Sequence, residues 1–349
     1  MKKILSAAAI IALILLIIPT VAFVSQSAPP NAKEIFSSQN SSQSSEKSDN
    51  GSQTSSSSNT AYKTAAGNVI YKIYDASSDK VLNLKASDYI KGVVAAEIPA
   101  SYETEAIKAQ AVAANTYALR IIAQNKDDKS LKGASLSTDP NKHQAYKSKA
   151  QLKKLYGADF EKSYKKISDT VDQVIDRVIV YKNEPIAAVF HAVSAGRTEN
   201  SADVWGSSVS YLKSVKSESD ETSPDYLSTV TISASQVKNK LKGNYQKLRM
   251  PFFKSNWFKI LSRSAAGSVE KVKIGNVQAT GQDIRLMFSL NSANFSVSYK
   301  RGIFTFTTKG FGHGVGLSQY GANELAKQGK NYEQILKHYY TGVTIKKIT

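Results

Sequence analysis

The chain has 349 residues, 41% of them hydrophobic, enough for one large domain or two smaller ones with real cores. It contains no cysteine, which excludes disulfides and thiolate metal sites and suits an exported protein whose fold is not stapled. A formal charge of +18 implies an anionic neighbourhood such as nucleic acid, membrane headgroups or an anionic cell wall; the lysines are scattered, so a generally solubilising surface explains the same number.

Residues 4–24 form an uncharged apolar run behind Lys2 and Lys3, and about 20 such residues cross a bilayer. The two lysines belong on the cytoplasmic side, so everything after Val24 is expected outside. A secretory apolar region covers only about 7 to 15 residues. Residues 1–24 therefore read as an uncleaved single-pass anchor in the cell membrane, with Ser25-Gln26-Ser27 leaving cleavage open. Residues 25–64 follow as a linker. From 37 to 60 it is nearly all Ser, Gln, Asn and Thr, too poor in apolar surface to offset its ordering entropy, so disorder is expected. The folded part is expected over 65–349, and an outward-facing domain points away from a nucleic-acid partner.

Within it, β-branched and aromatic runs at 69–74 and 80–84 predict a hairpin, and 88–97 a short helix. The residue before a proline is pushed out of the α region, so Ile98 ends that helix and leaves Glu97 in its last turn. Ile107, Ala111, Ala114, Ala118 and Ile121 recur at helical spacing, predicting a helix over 103–124 with a small-residue face fit for a central position. A further helix is predicted at 163–175, then a hairpin of 177–181 with 186–193 about Asn183-Glu184-Pro185. Later segments alternate: a strand at 229–232, a helix through Val237 and Leu241, and strands at 269–274 and 295–307. The fold class is α+β, two mixed subdomains around a central helix, with the division near 211–225.

Three stretches carry candidate chemistry. Glu97 ends an apolar run, at a helix C-terminus whose dipole presents partial negative charge. Burial and dipole both favour the protonated carboxyl that a glycosidase-type general acid requires; a solvent-facing helix glutamate is the plainer alternative. In GFGHGVGLSQYGA (310–322), glycines alternate with Phe311, His313, Val315 and Leu317. An extended segment of that kind offers a side-chain-free strip, either to a polymer or to another part of the protein. In HAVSAGRT (191–198), Ser194 and Thr198 flank Gly196, suited to sugar hydroxyls or to turn formation. His143, His191, His313 and His338 show no metal-ligand spacing, so no metal and no cofactor are expected.

Taken together, EIPASYETEAIKAQAVAANTYAL, TDPNKHQAYK (138–147), HAVSAGRTENSADVWG (191–206) and GFGHGVGLSQYGA resemble, in that order, the stage II sporulation protein D (SpoIID/LytB) family. The resemblance implies a peptidoglycan lytic transglycosylase with Glu97 catalytic. The implied contacts to peptide-free glycan strands are Gln144, Tyr146, Ser194, Gly196, Thr198, His313, Gln319 and Tyr320, lining a glycan-binding groove. It also implies action in forespore engulfment, with an amidase and membrane proteins as partners. The alternative it leaves is a non-catalytic wall-binding protein that enhances an amidase. Three departures stand out: Asn115 where the family commonly has arginine, Ala195 in place of a glycine, and no cysteine to join His143 in the zinc site of some members.

Overall fold

The computed structural model describes residues 68–124 and 128–348. The expected anchor (1–24) and linker (25–64) lie outside the described residues. Strands β1 (Ile70–Asp75) and β2 (Lys80–Lys85) form the predicted antiparallel hairpin. Helix α1 (Ala86–Glu97) follows directly, and α2 (Thr104–Gln124) after a short loop. β3 (Leu136–Ser137) then adds to β1 in parallel.

Helix α2 is central because its side chains are small. Ala109, Ala113, Ala114 and Ala118 are all fully buried, which lets neighbouring backbones approach on every side. It packs against α1, α4 (Phe160–Asp172), strand β4 (Arg177–Tyr181), and two helices from the far end of the chain, α8 (Gln319–Lys327) and α9 (Tyr332–Tyr339). Asn115 ties its middle to the carbonyls of Ile175 and Arg177 through Nδ2. The intervening α3 (Lys149–Tyr156) begins at a capping box, Ser148 with Gln151.

A second core lies within 227–309. It comprises β7 (Leu227–Ser233), α6 (Ala234–Asn244), β8 (Phe258–Arg263), β9 (Val269–Ile274), β10 (Val277–Ala279), α7 (Gly281–Phe288), β11 (Phe295–Lys300) and β12 (Ile303–Lys309). Two three-stranded sheets, β10-β9-β8 and β11-β12-β7, enclose Trp257, Phe258, Phe288, Phe295, Phe304 and Phe306. Each such buried aromatic contributes roughly 2–3 kcal/mol of burial free energy. After β12 the chain returns to the first core, where Val315, Leu317, Ile335 and Leu336 are buried. The second core is thus an insertion in the first.

Two expected strand patterns differ. The single strand expected at 295–307 is a hairpin, because Arg301 and Gly302 take φ of 47° and 87°, the two-residue turn that antiparallel strands favour. The hairpin expected about Asn183-Glu184-Pro185 turns instead at Lys182-Asn183, and its second strand is only Glu184–Pro185 (β5). Beyond it, Phe190–His191 (β6) pairs in parallel with Leu317–Ser318 (β13), the short helix α5 (Ser201–Trp205) follows, and β4 takes Thr344–Lys347 (β14) as its other neighbour.

Candidate active site

Glu97 is the last residue of α1. Ile98 leaves the helix with φ −132° and ψ 151°, as a residue before proline must, and its amide still bonds the carbonyl of Val94. The carboxyl is therefore held at the helix end, 6% exposed, against the apolar run that precedes it.

Two amides reach it from distant segments. The backbone N–H of Ala145 donates to Oε1 at 2.9 Å, and Nε2 of Gln319 donates to Oε2 at 3.4 Å. A carboxyl held at a fixed orientation by donors on both oxygens has the geometry of a general acid–base group.

The 138–147 loop places Ala145 through its own anchors. His143 Nδ1 accepts the amide of Ser137 at 2.9 Å, and Gln144 Nε2 donates to the carbonyl of Ala114 on α2 at 3.1 Å. Tyr146 stacks on Tyr89, ring centroids 5.6 Å apart, and closes over Gly92 on α1. A Cβ at Gly92 would lie 2.7 Å from the Lys147 carbonyl, so this close approach of loop to helix needs glycine. Beside Ala145 and Tyr146 opens a pocket of about 510 Å³, with Asp75, Thr138, Lys147 and Gln151 in its walls.

Gln319 is the first residue of α8. Ser318 caps that helix, its hydroxyl accepting the amide of Gly321 at 3.2 Å. Beneath the cap lies a buried polar cluster around Asp220. The amide of Ser194 donates to Asp220 Oδ2 at 2.8 Å, and the hydroxyls of Ser217 and Ser318 also stabilise its charge, yet burial wins and raises its pKa. Ser217 Oγ bonds Tyr339 OH at 2.8 Å. Gly321 fits here because a side chain would strike Asp220, Ser217 and Tyr339.

The glycine-strip expectation is corrected. Gly310, Gly312, Gly314 and Gly316 have φ of 79°, 116°, 81° and 74°, so the segment is not extended. Their missing side chains face the protein: a Cβ at Gly310 would meet the Val193 carbonyl at 2.9 Å, at Gly312 the His191 side chain at 2.7 Å, at Gly314 Glu199 at 2.9 Å, and at Gly316 the Val189 carbonyl. The strip is a packing device for the 189–199 segment.

Several predicted glycan contacts move with it. His313 is 3% exposed, wedged between the rings of His191 and Trp205 at 5.7 and 5.3 Å, with Nδ1 accepting the Val315 amide. Burial lowers its pKa, so it is a neutral interior group. Ser194 and Thr198 are also interior; Thr198 Oγ1 accepts the Val215 amide at 2.9 Å, and Gly196 packs against Glu221. Gln144 is buried as a loop anchor. All five are buried inside the protein. The predicted residues brought to or beside Glu97 are Gln319, through its amide, and Tyr146, through the adjacent Ala145. Tyr320 is half-buried next to Gln319, its hydroxyl 3.2 Å from that of Thr222.

Sequence reasoning missed Ala145, which acts through its backbone, and Asp220, which sits in the acidic run ESDE with nothing to distinguish it. It also missed Asn323, whose Oδ1 accepts the Glu103 amide at 2.8 Å and clamps α8 to the start of α2. The zinc site of some relatives does not fit the residues present. His143 has committed Nδ1 to Ser137, and no group of three possible ligands occurs among the described residues.

Fold and site together define a mixed α+β protein in which a buried carboxyl at the end of α1 receives donors from two distant segments. A sequence profile described as SpoIID, stage II sporulation protein, matches residues 74–181, and a domain of unknown function (DUF8618) matches 199–316, the span that includes the second core. The chain is 42% identical to stage II sporulation protein D of Bacillus amyloliquefaciens over 78% of its own length and 77% of that protein's. It is 41% identical to stage II sporulation protein D of Bacillus subtilis (strain 168), over 80% of each. A more distant match is the amidase enhancer of Bacillus subtilis (strain 168), 27% identical over 73% of this chain and 40% of that one. The chain belongs to the stage II sporulation protein D family.

Proposed function

We propose that the protein is a peptidoglycan lytic transglycosylase that acts on peptide-free glycan strands during engulfment of the forespore. The observation that carries this reading is the convergence on Glu97 of Ala145 N–H and Gln319 Nε2, from segments 48 and 222 residues away. Buried carboxyls with donors also occur as structural groups, as at Asp220. Glu97, however, stands at a helix end and receives a donor from the loop whose Ala145 and Tyr146 line an open pocket, a placement that a pure wall-binding protein does not require. In the proposed reaction the Glu97 carboxylic acid protonates the oxygen between N-acetylmuramic acid and N-acetylglucosamine, and that bond breaks. The carboxylate then takes the proton of the C6 hydroxyl as O6 closes on C1, giving a 1,6-anhydro end and restoring the acid. The nucleophile is the substrate's own hydroxyl, so the second carboxylate of ordinary glycoside hydrolases is not required. Tyr146 lines a pocket whose walls also carry Asp75, Thr138, Lys147 and Gln151, a mixture of apolar and polar groups that suits a sugar ring.

Similarity to an amidase enhancer supports the second reading, a non-catalytic protein that binds wall and assists an amidase. Mass analysis of products from purified peptide-free strands separates them. Anhydro-ended fragments carry the first reading. Uncleaved strands that bind the protein carry the second, and ordinary reducing ends would replace the transglycosylase with a hydrolase. Anchoring by residues 1–24 and the engulfment amidase as partner belong to the same proposal.

A further inference from the structure

The charge of this protein is concentrated. Residues 227–309 contain fourteen Lys and Arg against two acids, Glu270 and Asp283, so they carry twelve of the formal +18 charges. Thirteen of these cations are exposed, the exception being the interior Arg285. Among the described residues, none of the thirteen forms an ion pair within 4 Å of a carboxylate. Lys259 on β8 and Lys273 on β9 stand directly opposite each other, both exposed, with Leu261 and Lys271 also outward on these strands. Like charges in that register oppose sheet stability. A ligand that supplies negative charge removes the conflict.

At one end of this sheet the chain presents two aromatic rings to solvent. Phe252 is 92% exposed and Phe253 67%, the most exposed large apolar side chains among the described residues, with ring centroids 5.3 Å apart. The loop that bears them is pinned. Trp257 Nε1 donates to the Pro251 carbonyl at 3.1 Å, and Asn276, in the β9–β10 turn, accepts the Arg249 amide at 2.6 Å and donates to the Lys247 carbonyl at 3.1 Å. Lys247, Arg249 and Lys254 flank the rings.

We propose that the Phe252–Phe253 tip, with Lys247, Arg249 and Lys254 around it, docks the inserted second core on an anionic lipid surface. Rings fixed outward on a braced loop enter the headgroup region at little entropic cost, and the flanking cations are attracted by the negative surface potential of anionic lipid. A soluble polyanion would use the lysines and leave the rings in water. A protein partner would need a shaped counter-surface for two protruding rings, whereas a bilayer interface accepts them without one.

The test uses the full-length chain carrying Phe252→Trp, reconstituted with vesicles of phosphatidylcholine alone or mixed with phosphatidylglycerol. Brominated acyl chains serve as quenchers, and the unsubstituted chain reports the interior Trp205 and Trp257. The local readout at position 252 is independent of any anchor elsewhere in the chain. A blue shift and quenching with phosphatidylglycerol vesicles, reversed by high salt or by Lys247→Glu with Arg249→Glu and Lys254→Glu, is the expected result. Solvent-like emission on both vesicle types overturns the proposal, as does equal quenching on both. Solvent-like emission on vesicles with shielding by poly(glycerol phosphate) assigns the patch to a wall polyanion, and shielding only by an acidic protein assigns it to a protein partner; either overturns the lipid assignment.

Discussion

Asp220 and Ser194 meet through one hydrogen bond, amide to Oδ2 at 2.8 Å, and that bond joins the 194–198 turn to the cluster beneath the cap of α8. Removing the carboxylate strands buried donors from three segments. Asp220→Ala is expected to lower stability by about 2–4 kcal/mol, whereas Asp220→Asn, which keeps an acceptor, costs about 1 kcal/mol. Urea midpoints of the two variants check this, and equal losses would show that the cluster acts by volume and not by hydrogen bonding.

Glu97→Gln keeps the shape of the side chain and an oxygen to accept the Ala145 N–H, and Gln319 can turn its amide to face the new group. Stability is expected to change by less than about 1 kcal/mol, while strand cleavage falls by about 10²–10⁴-fold or more, the worth of a general acid–base group. Unchanged turnover in the folded variant would remove Glu97 from the mechanism.

Gly316 and Gly329 both have positive φ, 74° and 83°, but differ in surroundings. A Cβ at Gly329 meets nothing within 4 Å, whereas at Gly316 it would run into the Val189 carbonyl and lie 3.2 Å from the Tyr340 ring. Gly329→Ala is expected to cost about 1 kcal/mol from backbone strain alone. Gly316→Ala is expected to cost about 3 kcal/mol or more. Chemical denaturation of both variants measures the difference, and similar losses would remove the packing role of the strip.

Burial lowers the pKa of His143 and of His191 to about 4. Unfolded histidine titrates near 6.5, so the unfolded chain takes up protons first as pH falls. The stability these groups contribute is full above about 6.5 and is lost progressively down to about 4. Glu199 and Asp220, raised by burial, act in the opposite sense: their contribution is present at low pH and lost as pH rises through their folded values. His143→Asn retains an acceptor for the Ser137 amide and cannot charge. It is expected to flatten the loss between pH 6.5 and 4 by about 3 kcal/mol. Urea titrations at steps across that window test it; an unaltered slope would mean that His143 charges freely in the folded protein.

The first half of the chain was the more legible in sequence. The hairpin of β1 and β2, the end of α1 at Ile98 and the length of α2 follow from β-branched runs, a proline and a repeating small-residue face, all local rules. The 310–316 segment misled because alternating glycines fit an extended strip and a chain of positive-φ turns equally well. Which one forms depends on the 189–199 backbone packed against it. Ser194, Thr198 and His313 looked available for a ligand because polar side chains in a glycine-rich stretch carry no mark of burial.

By itself the sequence determined that Glu97 stands in the last turn of a helix amid apolar neighbours, since a following Ile-Pro and an apolar run act within a few residues. Only the tertiary structure decided what meets it. Ala145 arrives by its backbone, which no residue type announces, and Gln319 arrives because Asp220, Ser318 and Asn323 fix α8 across α2. The charge divides in the same way: the sequence carries twelve of the +18 charges in 227–309, but only the folding of that stretch into its own core made it one inserted unit with thirteen exposed cations. Contacts between segments tens to hundreds of residues apart depend on packing, and no local propensity encodes them.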